Sequence, residues 1–271
     1  MSYIKKLAVF NCVAFIGTIL INTLANLIPF NGLTTGELSA LYPNLFVPAG
    51  ITFSIWGVIY SLLGIFTAYQ LIVAFKTKDS VVTFIHKIGY WNILLGVGNM
   101  LWVILWHYRY VGASVIIMVL MLISLIFIYN NLSIGRAAAS KKEVFLVHIN
   151  FSVYLGWISV ATIANVTAFL VSINWQGFGI PEAIWTVILM VVSLALGLYF
   201  LHMRRDIFYS AVIAWAFIGI YLKRTAAGTE AVRSVITMSI IGISVLAILI
   251  ILALLRKRAY IFTDVLPSSR K

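Results

Sequence analysis

Long apolar runs alternate with short charged or turn-rich breaks, and the runs fall at roughly 7–29, 49–75, 85–106, 110–131, 144–171, 182–201, 207–222 and 233–255. Runs of about 20 residues are what a helix needs to cross roughly 30 Å of hydrocarbon. The ten-residue segments of strict polar alternation that mark a transmembrane barrel do not occur in them. The pattern predicts an all-α, polytopic membrane helical bundle of eight spans. The seventh run is the shortest, held between Arg204-Arg205-Asp206 and Lys223-Arg224.

Within the runs, polar and aromatic residues keep to helical faces. The stretch Pro43 to Tyr60 turns from a proline-bearing loop into the second helix, and Pro48 suits a first turn because its missing N–H has no intrahelical partner there. Ser54, Gly57, Ser61 and Gly64 form a stripe of small residues expected to seat that helix closely. Thr52, Trp56 and Tyr60 lie about 120° away from it. The third run carries Asn92, Gly96, Asn99, Trp102 and Trp106 on one face, and the fifth carries Tyr154, Trp157, Ala161 and Asn165. Indole N–H and amide groups need partners in hydrocarbon, so these faces should point inward. Two readings stay open: packing, or a pocket for a large, flat, mostly apolar ligand.

Composition agrees: hydrophobic residues make up 63% and charged residues 10%, with a mean hydropathy of +1.08. The net charge of +12 is spread over short clusters between runs and not gathered in one patch, which excludes a nucleic-acid track and marks topology. With the N-terminus inside, fifteen basic residues fall inside, from Lys5 and Lys6 through Lys76, Lys78 and Lys87 to the tail. Only Arg109, Lys223, Arg224 and Arg233 fall outside. Both termini are therefore expected in the cytoplasm, with the chain in the cell membrane and Leu7 to Ile28 kept as a first helix and not cleaved as a signal peptide.

The seven acidic residues, Glu37, Asp79, Glu143, Glu182, Asp206, Glu230 and Asp264, all sit in loops or at span ends. Ion-coupled transporters keep an ionisable group at mid-depth and retinal proteins a buried lysine, so neither class is expected. Cys12 stands alone, and His86, His107, His148 and His202 show no metal spacing. His148 and Asn150 read as interfacial or interhelical hydrogen-bonding groups. No metal, no tightly bound cofactor and no acid–base or nucleophilic catalysis is expected. Two loops stand out: 30–48, long enough to fold over the mouth of a bundle, and 172–181, whose Trp175 and Phe178 suit the headgroup level. The second loop divides the chain into 1–172, a set of further helices over 181–258, and a basic tail over 259–271.

Taken in order, PAGITFSIWGVIY, NMLWVILW and VYLGWISVATIAN resemble the second, third and fifth helices of the TspO/translocator protein family, the tryptophan-rich sensory proteins. The likeness covers about residues 7–172, a five-helix core, and leaves three additional helices beyond it. Val153 stands where the family usually has a fifth-helix proline, and Phe46 where it has a loop tryptophan. The resemblance implies a cavity capped by the first loop that accepts porphyrins or sterol-like molecules, with Trp56, Trp157, Trp102, Trp106 and Ala161 at the matching positions. With the polar face residues it makes Trp56, Tyr60, Asn99, Trp102, Trp106, Tyr154, Trp157, Ala161 and Asn165 the expected ligand-binding set. It also implies a homodimer as one option, on a surface that the added helices would fill or extend.

The leading expectation is thus a membrane receptor or sensor-like protein for a porphyrin or haem-type ligand. The alternatives are a facilitator of a neutral or amphipathic solute and, by resemblance alone, light-dependent porphyrin degradation.

Overall fold

Ser2 accepts the Lys5 N–H and so starts helix α1 (Tyr3–Leu27). The structure, a computed structural model, describes residues 1–28, 30–76, 83–227 and 232–262. Lys78, Asp79, Glu230, Asp264, Arg270 and Lys271, all used in the charge reading, lie outside these, as do Pro29 and most of the 259–271 tail.

In the first loop Thr34 and Glu37 close a capping box over the short α2 (Thr35–Ala40). A 3₁₀ turn at Gly50–Ser54 then feeds α3 (Ile55–Lys76), so the regular helix begins later than Pro48. The third run is split into α4 (Thr83–Ile88) and α5 (Trp91–His107) at Gly89, whose φ of +56° no helix accommodates. Next come α6 (Val111–Asn131), the single-turn α7 (Lys141–Glu143), a π-helical turn at Val144–His148 and α8 (Ile149–Ser172). The last three are α9 (Glu182–Met203), α10 (Ile207–Ala227) and α11 (Arg233–Leu255). The seventh run is therefore a 21-residue helix, longer than its apolar stretch.

Seven helical stretches are long and apolar enough to cross a membrane, and α5 with 17 residues is the shorter eighth, about 26 Å at 1.5 Å per residue. Contacts show that α5 runs from one end of the bundle to the other alongside the rest. At one end of the bundle Tyr3 packs against His86 and Tyr90, Asn131 bonds the Lys87 carbonyl, Arg204 bonds that of Ile134, and the Tyr260 N–H bonds that of Arg205. At the other, Asn31 bonds the His107 carbonyl, Glu182 the Leu45 N–H and Arg224 the Val47 carbonyl. The protein is an integral, multi-pass, all-α membrane protein, with its first and last membrane helices opening and closing on the same face.

Helix α8 is the most enclosed, with ten consecutive buried residues from Ile149 to Ile158. It is flanked by α3, α6 and α10. Gly156 allows the approach of α10, since a Cβ there would meet Val212 Cβ at 3.0 Å and the Tyr209 carbonyl at 3.1 Å. Helix α1 is fixed by polar groups, as expected where lipid tails are as apolar as the side chains: Asn11 donates to Gln70 (3.0 Å) and Thr18 to the Gly96 carbonyl (3.3 Å).

Two features depart from the sequence reading. The small stripe of α3 does not seat the helix: Ser54, Gly57 and Ser61 are exposed, and only Gly64 meets a neighbour, Phe15, at 3.3 Å. Ile55, Ile59, Leu63 and Phe66 face inward instead, because large side chains make more dispersion contacts. At the 204–206 corner Arg205 is exposed, but the other two charges are not solvated. Arg204 and Asp206 are buried, with Asp206 accepting the Tyr129 hydroxyl (2.8 Å) and the N–H groups of Phe208 and Tyr209. Arg204 bonds Asn130 and lies over the Tyr129 ring.

Candidate functional site

Three helices and the first loop converge near the end of the bundle where α5 finishes. Helix α3 brings Trp56, α5 brings Trp102 and Trp106, and α8 brings Trp157, Ala161 and Asn165. With Thr35, Ser39 and Pro48 of the loop and Phe53 of the 3₁₀ turn, they enclose a cavity of about 50 Å³. The rings of Trp56 and Trp157 meet edge to face with centroids 6.2 Å apart, and Phe53 meets Trp157 in the same way at 5.9 Å. Trp102 and Trp106 stack at 5.8 Å. Six of the nine expected residues thus share one cavity wall.

The other three lie behind it as support. Tyr60 stacks on Trp56, Tyr154 meets Trp56 edge-on, and Asn99 donates to the Tyr154 hydroxyl at 3.1 Å. Asn22 of α1 donates to Asn99 at 2.7 Å, a tie not expected from the sequence. Asn165 is fully engaged, accepting the Trp102 N–H (2.9 Å) and donating to Ser114 (3.0 Å). The Trp106 N–H holds the Thr35 carbonyl of the loop at 3.3 Å. Trp157 differs: its indole N–H is buried with no hydrogen-bond partner among the described residues. A buried donor left unpaired costs about 1–3 kcal/mol, which an acceptor brought in by a ligand would recover.

His148, which ends the π-helical turn, and Asn150, in the first turn of α8, are read from the sequence as hydrogen-bonding groups and lie at the opposite end of that helix from the cavity residues Trp157, Ala161 and Asn165. His148 sits 3.6 Å from Glu143, and neither polar atom of Asn150 has a partner among the described residues. Among these residues no group of three or more metal-ligating side chains occurs.

The cap over the cavity is pinned by the helices that follow residue 180. Arg224 of α10 donates to the carbonyls of Asn44 (3.4 Å) and Val47 (3.1 Å), and the Ala49 N–H donates to the Gly219 carbonyl at 2.9 Å. The Trp215 N–H bonds the Thr52 carbonyl at 2.9 Å, and Glu182 at the start of α9 accepts the Leu45 N–H at 2.6 Å. Farther out, the capping bonds from Thr34 hold the Glu37 carboxyl below its ordinary 4.5. Those bonds contribute fully above that value and fade as pH falls through the lowered one. Replacing Arg224 with alanine removes two charge-assisted bonds, each about 1.5–3 kcal/mol. Hydrogen exchange of the backbone amides between Asn44 and Ala49 should then rise at least tenfold, while α8 stays protected.

An eight-helix membrane bundle with an aromatic cavity under a pinned loop is the class of protein these observations define. The family model described as TSPO-like protein matches residues 8–252, and the chain belongs to that family. The match runs through α9 and α10 and nearly to the end of α11, so the family likeness reaches well beyond the 7–172 read from the motifs. No curated protein and no solved structure matches the chain significantly.

Proposed function

We propose that the protein binds a flat, hydrophobic, acceptor-bearing ligand, a porphyrin being the leading class, between Trp56 and Trp157. The observation that carries this reading is the convergence of five aromatic rings on one cavity in which the Trp157 N–H is left without a partner. A cavity of about 50 Å³ is far below the roughly 300–1,000 Å³ of ligand sites, so binding requires the cap to lift. Thr35, Ser39 and Pro48 leave the wall when it does, and the pins from α9 and α10 set the cost of that step. The ligand enters as binding partner, and no chemical step on it is assigned.

The test is a titration of protoporphyrin IX into detergent-solubilised protein, followed through the porphyrin's own Soret band. The wild type should give a saturable shift, and the Trp56→Phe, Trp157→Phe variant should bind at least tenfold more weakly. Equal binding by both would remove the assignment.

A second reading, a facilitator for an amphipathic solute, is favoured by one feature. A cleft of about 510 Å³ lies between the first loop, the outer half of α8 and α9, and Asn44, Thr162, Thr167 and Gln176 line it beside apolar residues. Porphyrin uptake into proteoliposomes, above that of empty vesicles, would favour it.

A further inference from the structure

At the end of the bundle opposite the aromatic cavity, a groove of about 860 Å³ runs between the last turns of α9 and α11. Its walls are apolar, from Leu201 on α9 and from Leu249 and Leu252 on α11. Its mouth is basic, with His202, Arg205, Arg256, Lys257 and Arg258 lining it and no acidic residue among the lining groups. All five are exposed, and among the described residues none has a side-chain hydrogen bond or ion pair.

The cations are held on a fixed frame. After α11 the chain turns back, with the Lys257 N–H bonded to the Leu254 carbonyl and the Arg258 N–H to that of Ala253. Ala259 and Tyr260 are buried, and the Tyr260 N–H reaches the Arg205 carbonyl at 3.0 Å, which ties this segment to the corner between α9 and α10. Arg205 and Lys257 both sit in the left-handed region, at φ 53° and 51°. Glycine or asparagine is the usual choice there. A topology signal needs only the charge on this side of the membrane. It does not need a rigid basic rim closing an apolar trough.

We propose that this groove binds an anionic diacyl phospholipid, with the phosphate at the rim of Arg205, Arg256, Lys257 and Arg258 and the acyl chains along Leu201, Leu249 and Leu252. The chemistry matches at both ends: guanidinium groups suit phosphate oxygens, and the apolar walls suit chains. The groove lies on the face that carries most of the basic loops, the face expected to meet the anionic leaflet.

The test is native mass spectrometry of the full chain in detergent, with dioleoyl phosphatidylglycerol and dioleoyl phosphatidylcholine offered in equal amounts. The wild type should retain phosphatidylglycerol in preference. In the Arg205→Asn, Lys257→Asn variant, which removes two cations at positions where asparagine suits the backbone, the preference should fall about fivefold for each charge lost. A Lys5→Gln, Lys6→Gln control should keep it, and glycerol 3-phosphate in excess should not displace the lipid. Equal retention of the two lipids by the wild type, an unchanged preference in the Asn variant, an equal loss in the control, or displacement by glycerol 3-phosphate would each overturn the proposal. Because Asn fits the left-handed positions, melting of the variant should match the wild type. Should it melt lower, the Arg256→Gln, Arg258→Gln variant, which leaves those positions alone, must show the same loss.

Discussion

Gly219→Leu should lower the melting temperature by roughly 4–16 °C and free the first loop from α10. A Cβ at Gly219 would run into the Thr52 side chain and lie 2.8 Å from Pro48 Cβ. Both neighbours belong to the segment that closes the aromatic cavity, and the Gly219 carbonyl itself receives the Ala49 N–H. Overpacking of this kind costs about 1–3 kcal/mol. Loss of the main-chain bond adds about 1 kcal/mol more. For a chain of this size each kcal/mol moves the melting temperature by roughly 2–4 °C. Differential scanning fluorimetry reads the first effect. Faster hydrogen exchange at Ala49 reads the second and separates a lifted loop from general destabilisation. An unchanged melting curve with a protected Ala49 amide would mean that α10 does not clamp the cap.

The second large effect should come from Asp206. Asp206→Ala leaves the Tyr129 hydroxyl and the N–H groups of Phe208 and Tyr209 buried without an acceptor. Unpaired donors cost about 1–3 kcal/mol each, and breaking a buried polar network typically costs about 3–5 kcal/mol. Asp206→Asn should behave quite differently, because its carbonyl still caps α10 and Tyr129 can turn to accept from its amide. Burial pushes the Asp206 carboxyl above its ordinary 3.8, against the hydrogen bonds from Ser152, Tyr129, Tyr209 and Phe208 that hold it down. For a raised carboxyl the stabilisation is complete below 3.8 and is lost as pH rises through the raised value. The wild type should therefore lose stability across that interval while Asp206→Asn stays flat. Melting temperatures of the three proteins from pH 4 upward check this, and a matching decline in the Asn variant would place the titration elsewhere.

These two residues also mark what could be read from the chain and what could not. The inward faces of α5 and α8 were legible because Asn99, Trp102 and Trp106, and Tyr154, Trp157 and Asn165, repeat with the helical period, and a bundle must turn such groups inward. The meeting of Trp56 with Trp157 followed from the same faces and the family motifs. What period cannot show is which distant segment a residue touches. Arg224 is 180 residues from the Asn44 carbonyl it holds, and Glu182 is 137 from the Leu45 N–H, so both read as ordinary boundary charges. Arg204 and Asp206 read as boundary charges for the same reason, the one among the inside basic residues and the other at a span end, although the fold buries both. The stripe of α3 failed in another way. Small spacing marks a surface that permits close approach, and it does not say that a neighbour within the chain takes it up.

The helices beyond residue 180 gain a purpose from this arrangement. They leave the aromatic wall to α3, α5 and α8 and supply the groups that hold its cap. In the proposed function, ligand contact falls to the first set of helices and cap pinning to the second.

Ligand binding inside the aromatic cavity can be tested with every tryptophan in place. Ala161 lines the cavity opposite Trp56 on α3, and Ala161→Phe fills the space that a ligand would need. Protoporphyrin IX should quench the tryptophan fluorescence of the wild type saturably, and the Ala161→Phe protein, its helical circular dichroism retained, should show at least tenfold weaker saturable quenching. Undiminished saturable quenching in that variant would move the ligand out of the cavity.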